Sequence, residues 1–234
     1  MAALKLHAQP YAYGGRGFYF SDFDEYEEKE EKSPHEEWMI EFIDGDGSEA
    51  ALFQAMGVNQ GNLDTYFDVL DEGWGDEEMV ALVYLTQDLG YKIDEALEKV
   101  EDVSIVEGTA EDYAYEYLEA VGYPTSNDWY FDHERFGRDV DIEGSMRPDP
   151  DDFDEGEDDP DYIAQEERYD RMSHKDLGEH VVDEVYGGIG EMSPEIVQRY
   201  FDHAAWVRDV TMNGDWNETT VDGTDYTITN ASSL

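Results

Sequence analysis

The chain has 234 residues, of which 61 are Asp or Glu and 14 are Lys or Arg, for a formal net charge of -47 and a pI near 4.1. That balance excludes a grip on nucleic-acid phosphates, which takes Lys and Arg to displace condensed counterions, and it excludes attraction to an anionic membrane surface. With no cysteine, disulfides and thiolate chemistry are excluded too. Leu, Ile, Val and Phe make up about a fifth of the residues, a share bordering on disorder. However, 17 Tyr and 5 Trp bring aromatics to 14%, so folded units are expected rather than a solvating tail. No apolar run approaches the roughly 18–20 residues of a membrane-spanning helix, and MAALKLHAQP lacks a signal-peptide core. A cytoplasmic protein is the expectation.

In chain order, residues 4–20 predict two short strands around a Gly-rich turn, followed by a short acidic helix before Pro34. Trp38 to Ile43 predicts a buried strand, and 49–56 and 62–71 predict short helices. Asp76 to Leu89 carries Met79, Val80, Leu82, Val83 and Leu85 on an apolar stripe, with Asp76, Glu77 and Glu78 where a helix dipole favours acids. Gly90 ends it, and further helices are predicted over 92–100, over 110–121 with Thr109 as cap, and from Asp128 to Val140 with Asn127 as cap. Pro148 to Asp161, with nine acids and three prolines in fourteen residues, predicts an extended linker. Helices at 174–186 and 194–211 follow, the second opened by Ser193 and Pro194. A closing hairpin turns at Asp222-Gly223. The expected fold class is α+β, elongated, made of small acidic modules with short helices and small antiparallel sheets. The expected division is an N-terminal α+β module (1–60), a helical module (61–103), a second helical module (104–147), the acidic linker (148–161) and a C-terminal module (162–234).

The most specific feature is a duplication. Tyr130-Phe131-Asp132-His133, Phe136 and Arg138-Asp139-Val140 recur as Tyr200-Phe201-Asp202-His203, Trp206 and Arg208-Asp209-Val210, identical at seven of eleven positions. Upstream, 109–121 corresponds to 173–185. Each unit is thus a capped helix, a connection and a second helix bearing the motif. Phe131, Phe136, Phe201 and Trp206 are candidates for a buried face, Tyr130 and Tyr200 open the motif, and Arg138 and Arg208 are expected to pair with nearby carboxylates. The motif is expected to hold helix to hairpin.

YFDHERFGRDV, and YFDHAAWVRDV followed by TMNGDW and TTVDGTDYTIT, resemble the C-terminal part of the ArdA antirestriction proteins. LDEGWGDEEMVALVYL and IDEALEKVEDVSIVEGTAEDYAYEYLEAVG resemble the same family, and residues 4–20 and 36–45 fit more loosely. The resemblance covers residues 1–143, and 173–230 is similar to the family's C-terminal region a second time. The acidic linker and the extra module depart from the family pattern. The resemblance implies a DNA mimic: an elongated, acidic, usually dimeric protein that occupies the DNA-binding cleft of a type I restriction–modification enzyme.

The charge density fits that reading. A compact chain of 26.8 kDa exposes about 10,800 Å², hence one net charge per about 230 Å², against about 110 Å² for B-DNA. The expected function is therefore inhibition of a host defence enzyme through a distributed carboxylate surface, with no catalysis, no cofactor, no metal and a possible homodimer. The candidate phosphate mimics are Glu77, Glu78, Glu95, Glu98, Glu101, Asp102, Glu107, Glu111, Asp112, Glu116, Glu119, Asp128, Asp132, Asp139, Asp141 and Glu143, with Glu95, Glu98 and Asp102 on one helix face. Asp44-x-Asp46-x-Ser48 starts like an EF-hand loop but has Glu49 and Ala55 where Gly and Glu belong, and no histidines stand at HExxH spacing. The competing readings are an acidic interaction protein of a halophile and a mimic directed at a CRISPR effector or a nucleoid protein.

Overall fold

A computed structural model describes residues 3–126, 129–144 and 146–234. Among them are eleven α-helices and two three-stranded antiparallel sheets, an α+β fold. Contacts group the chain into two compact units, residues up to 110 with 211–234, and residues 111–210. The closing hairpin, which the sequence division placed with 162–234, lies in the first unit.

In the first unit, β1 (Lys5–Pro10), β2 (Phe18–Phe20) and β3 (Trp38–Asp44) form a sheet ordered β2-β1-β3. Leu6 faces Phe20 on one side and Phe42 on the other, and Ala8 faces Ile40. Leu6, Ala8, Phe20, Trp38 and Ile40 are buried. Trp38 and Ile40 of the expected buried strand are buried, whereas Met39 and Ile43 are exposed, as in an antiparallel strand with one solvated face. The apolar face meets α1 (Phe23–Glu31), α2 (Gly47–Ala55), α3 (Leu63–Asp71) and α4 (Asp76–Val83), which continues as a π-helical turn through Asp88. Asp22 caps α1, accepting the Glu25 N–H at 2.7 Å, and Asp46 caps α2 in a capping box with Glu49. That box is what the EF-hand-like stretch builds. Leu52, Leu63, Tyr66, Leu82 and Leu85 have no exposed surface, each contributing about 1.5–3 kcal/mol by burial. The Tyr66 hydroxyl donates to the Glu49 carbonyl at 3.1 Å, and burial pushes this phenol well above its ordinary pKa. After α5 (Ile93–Lys99), β4 (Ile105–Glu107) joins β5 (Asn217–Val221) and β6 (Thr224–Ile228) in the order β4-β6-β5. The β5–β6 turn is type I′, with Asp222 at φ 51° and Gly223 at φ 76°.

The second unit is helical: α6 (Ala110–Val121), α7 (His133–Glu143), α8 (Pro160–Asp170), α9 (His174–Val181) with a π-helical turn through Tyr186, α10 (Pro194–Tyr200) and α11 (His203–Met212). Three predictions are corrected here. The helix expected from Asp128 begins at His133, because Phe131 is held extended by a β-bridge and Asp132 caps the helix, accepting the Arg135 N–H at 2.9 Å. The helix expected over 194–211 breaks at Phe201, for the same reason on the other side of the bridge. The expected extended linker contains two short 3-10 turns and ends in the first turn of α8, where Asp159 accepts the Asp161 N–H at 2.9 Å and Pro160 opens the helix; beyond it Tyr162 and Tyr169 lie on the buried side of α8. Asn127 and Asp128 lie outside the described residues. Among the described residues, no helix is long and apolar enough to cross a membrane.

Candidate functional site

The exposed surface measures 14163 Å², one net charge per about 300 Å² against about 110 Å² on B-DNA. The mean density is nearer a third of the duplex's than the half expected, so any likeness must come from local clusters. One such cluster is geometric. Glu77 and Glu78 in the first turn of α4 and Glu101 just beyond α5 line a single cavity of about 360 Å³, floored by Ala81, Val100, Val103 and Ile105. The α4 dipole favours the first two carboxylates where they stand.

The predicted carboxylates separate into free and engaged groups. Among the described residues, the side chains of Glu77, Glu78, Glu98, Glu101, Glu107, Glu116 and Glu143 are exposed and make no hydrogen bond or ion pair. Glu111 and Asp112 stand exposed in the first turn of α6. Glu95 accepts the Lys92 N–H at 3.4 Å, and Glu119 accepts from Gln198 Nε2 at 3.5 Å. Asp102 does not continue the face of Glu95 and Glu98, because α5 ends at Lys99 and Asp102 belongs to a tighter 3-10 turn. Asp132 is a helix cap. Asp139 accepts the Tyr200 hydroxyl at 2.8 Å, and Asp141 accepts the Tyr169 hydroxyl at 3.1 Å and lies 3.4 Å from His174 Nε2. These last three hold the fold rather than standing ready for a partner.

The duplicated motif forms a pair. It meets its own copy. Phe131 and Phe201 form an antiparallel bridge in which the Asp132 N–H donates to the Tyr200 carbonyl at 2.8 Å and the Asp202 N–H donates to the Tyr130 carbonyl at 2.6 Å. The side chains repeat the reciprocity: the Tyr200 hydroxyl donates to Asp139 at 2.8 Å and the Tyr130 hydroxyl to Asp209 at 3.1 Å. Burial first, then the neighbouring carboxylate, raises both phenol pKa values, so both stay protonated donors. Phe131 stacks edgewise on His133, and Phe201 on His203, both at 5.1 Å.

The helices are exchanged as well. In the first copy α7 lies on α9 of the second, so closely that a Cβ on Gly137 would stand 1.8 Å from the His174 carbonyl oxygen and one on Gly178 2.0 Å from that of His133. In the second copy α11 meets α6 of the first, through Tyr115 on His203 at 4.2 Å and Tyr117 on Trp206 at 5.9 Å. Gly178 corresponds in the repeat to Ala114, which is fully buried. Phe131, Phe136 and Phe201 are buried as predicted, whereas Trp206 is half-buried. Arg138 lies 3.6 Å from Glu134 and Arg208 3.6 Å from Asp209, exposed pairs worth a few tenths of a kcal/mol.

No known protein family, characterised protein or solved structure matches this chain. The duplication signalled two equivalent segments, but only the geometry shows that the equivalents touch. A hint was present in the sequence, since each copy carries an aromatic donor and a carboxylate at fixed spacing.

Proposed function

We propose that the protein is a DNA mimic that inhibits a DNA-binding enzyme of host defence by occupying its nucleic-acid groove without chemistry, with a type I restriction–modification enzyme as the first target to test. The observation that supports it is the set of unpartnered carboxylates on rigid helical and turn positions, above all Glu77, Glu78 and Glu101 around one cavity. Carboxylates displayed this way match a groove of Lys and Arg built for phosphates. The resemblance of the two YFDH–RDV segments and their surroundings to antirestriction proteins supports the choice of target.

The carboxylates carry a cost that fits a role in display. Two unit charges 6 Å apart in water repel by about 0.7 kcal/mol, and the field of the whole chain opposes compaction. Neutralising Glu77, Glu78 and Glu101 should therefore lower inhibition while stability changes little, because relief of repulsion offsets the lost dipole interaction of Glu77 and Glu78. The experiment is competition between this protein and a labelled duplex for the enzyme, with the wild type and a Glu77→Gln, Glu78→Gln, Glu101→Gln variant. Inhibition should weaken steeply as salt rises, and the triple variant should inhibit less at every salt concentration. Equal inhibition by a folded triple variant overturns the assignment of these residues. Failure of the wild type to displace duplex at low salt overturns the proposed function.

A further inference from the structure

We infer that residues 111–210 are a fused two-fold pair, in which the second copy of the module fills, within the same chain, the self-complementary surface of the first. The surface is therefore closed in cis, and the chain does not pair with a second chain through it. This inference is independent of the function proposed above.

The observations are reciprocal at three levels. The backbone exchanges two hydrogen bonds across Phe131 and Phe201. Each tyrosine of one copy donates to the RDV aspartate of the other. Each copy's first helix packs on the other's second helix. Contacts in which i meets j and j meets i define an isologous interface, the kind that builds two-fold dimers. Here both halves belong to one chain. Neither copy has a core of its own, because Leu177 and Val181 of the second copy share theirs with Phe131, Phe136 and Val140 of the first. The repeat also preserves selectively. Tyr, Phe, Asp, His, Arg, Asp and Val recur, whereas Glu111, Glu116 and Glu134 correspond to Lys175, His180 and Ala204. Asp112 and Glu119, by contrast, keep acidic counterparts in Asp176 and Asp183, so the copies share the pairing machinery in full and the acid pattern only in part.

The chain's lack of cysteine permits a clean test. Phe131 and Phe201 are a non-hydrogen-bonded antiparallel pair, whose Cα atoms stand about 4.5 Å apart, within the roughly 4.4–6.8 Å that a disulfide spans. A Phe131→Cys, Phe201→Cys variant, oxidised in dilute buffer, should form a 131–201 disulfide in a species of monomer mass. A disulfide-linked dimer, or free thiols in a variant with the wild-type circular dichroism spectrum, overturns the inference.

If removing two buried rings unfolds the variant, the wild-type chain and a Tyr130→Phe, Tyr200→Phe variant are compared by sedimentation equilibrium across micromolar concentrations. Both are expected to be monomers, with a lower melting temperature for the variant. A wild-type dimer that the two substitutions weaken overturns the inference. A dimer that they leave unchanged uses another surface and supports closure in cis.

Discussion

The two units reach a folded state by different means. The first buries large apolar side chains completely: Phe20, Leu6, Leu52, Leu63, Leu82, Leu85 and Ile228, with Tyr66 and Tyr84 beside them, all 2% exposed or less. The second has few such residues. Its core is aromatic and slightly open, with Phe131 and Phe201 at 7% and Tyr169 at 9% exposure, and it adds hydrogen bonds from tyrosines to carboxylates. The contrast shows how a chain this acidic can fold twice. One unit hides enough hydrocarbon to outweigh self-repulsion. The other gives some of its acids structural work as caps and acceptors, where a carboxylate stabilises the fold it would otherwise strain.

Substitutions can break that contrast, starting with the largest effects. Leu82→Ala is expected to destabilise the first unit by about 2–5 kcal/mol, and Phe131→Ala the second by about 3–5 kcal/mol. Calorimetry should show each lowering a different transition, and a single transition lowered equally by both would refute separate units. Gly178→Ala comes next, with a loss of about 1–3 kcal/mol confined to the second unit, because its Cβ would meet the His133 backbone rather than a movable side chain. Denaturant melts of Gly178→Ala beside Gly190→Ala, whose Cβ would make one ordinary contact, with the Thr125 hydroxyl at 4.0 Å, provide the comparison.

Tyr200→Phe sharpens the contrast at a smaller scale. It removes one donor from Asp139 and is expected to cost about 1–2 kcal/mol, whereas a change at an exposed tyrosine such as Tyr13 should cost almost nothing.

The smallest effect is one of pH. Burial lowers the pKa of His203, which stacks on Tyr115 and shares a hydrogen bond with the Tyr123 hydroxyl at 3.3 Å, outweighing the raising effects of the Phe201 backbone, Asp202 and Glu111. Its unfolded form then takes up a proton first. The stability it confers is intact above the unfolded value near 6.5 and is lost as pH falls below it. Melting temperatures between about pH 7 and 5, above the range where most carboxylates titrate, should fall less in a His203→Gln variant. An identical slope in both proteins would show that His203 does not matter.

What could be read from the sequence was local. Ser193 with Pro194, Asp222-Gly223, and the acids opening α4 act over one turn, and the structure has an element at each. What escaped was decided by distant partners. The helix over 194–211 breaks because Phe201 pairs with a strand-like residue seventy positions away. β4 is three residues long and exists because β6 lies beside it. α8 escaped because its buried side is only Tyr162 and Tyr169 in an otherwise largely polar segment, and those rings mark a helix face only once they are covered. The candidate surface was legible only as a population of acids. Asp139 and Glu143 look alike in sequence, and only the Tyr200 hydroxyl distinguishes a structural carboxylate from a free one.

The order of β4 and β6 along the chain also sets a timetable. Ile105 pairs with Ile228 and Glu107 with Tyr226, so about 120 residues must be synthesised before β4 can find its neighbour. At about 5–20 residues per second, a ribosome takes on the order of 6–24 s to make them. Residues 111–210 are all synthesised before β5 and β6 are. The second sheet is therefore the last part of the first unit that the nascent chain can close.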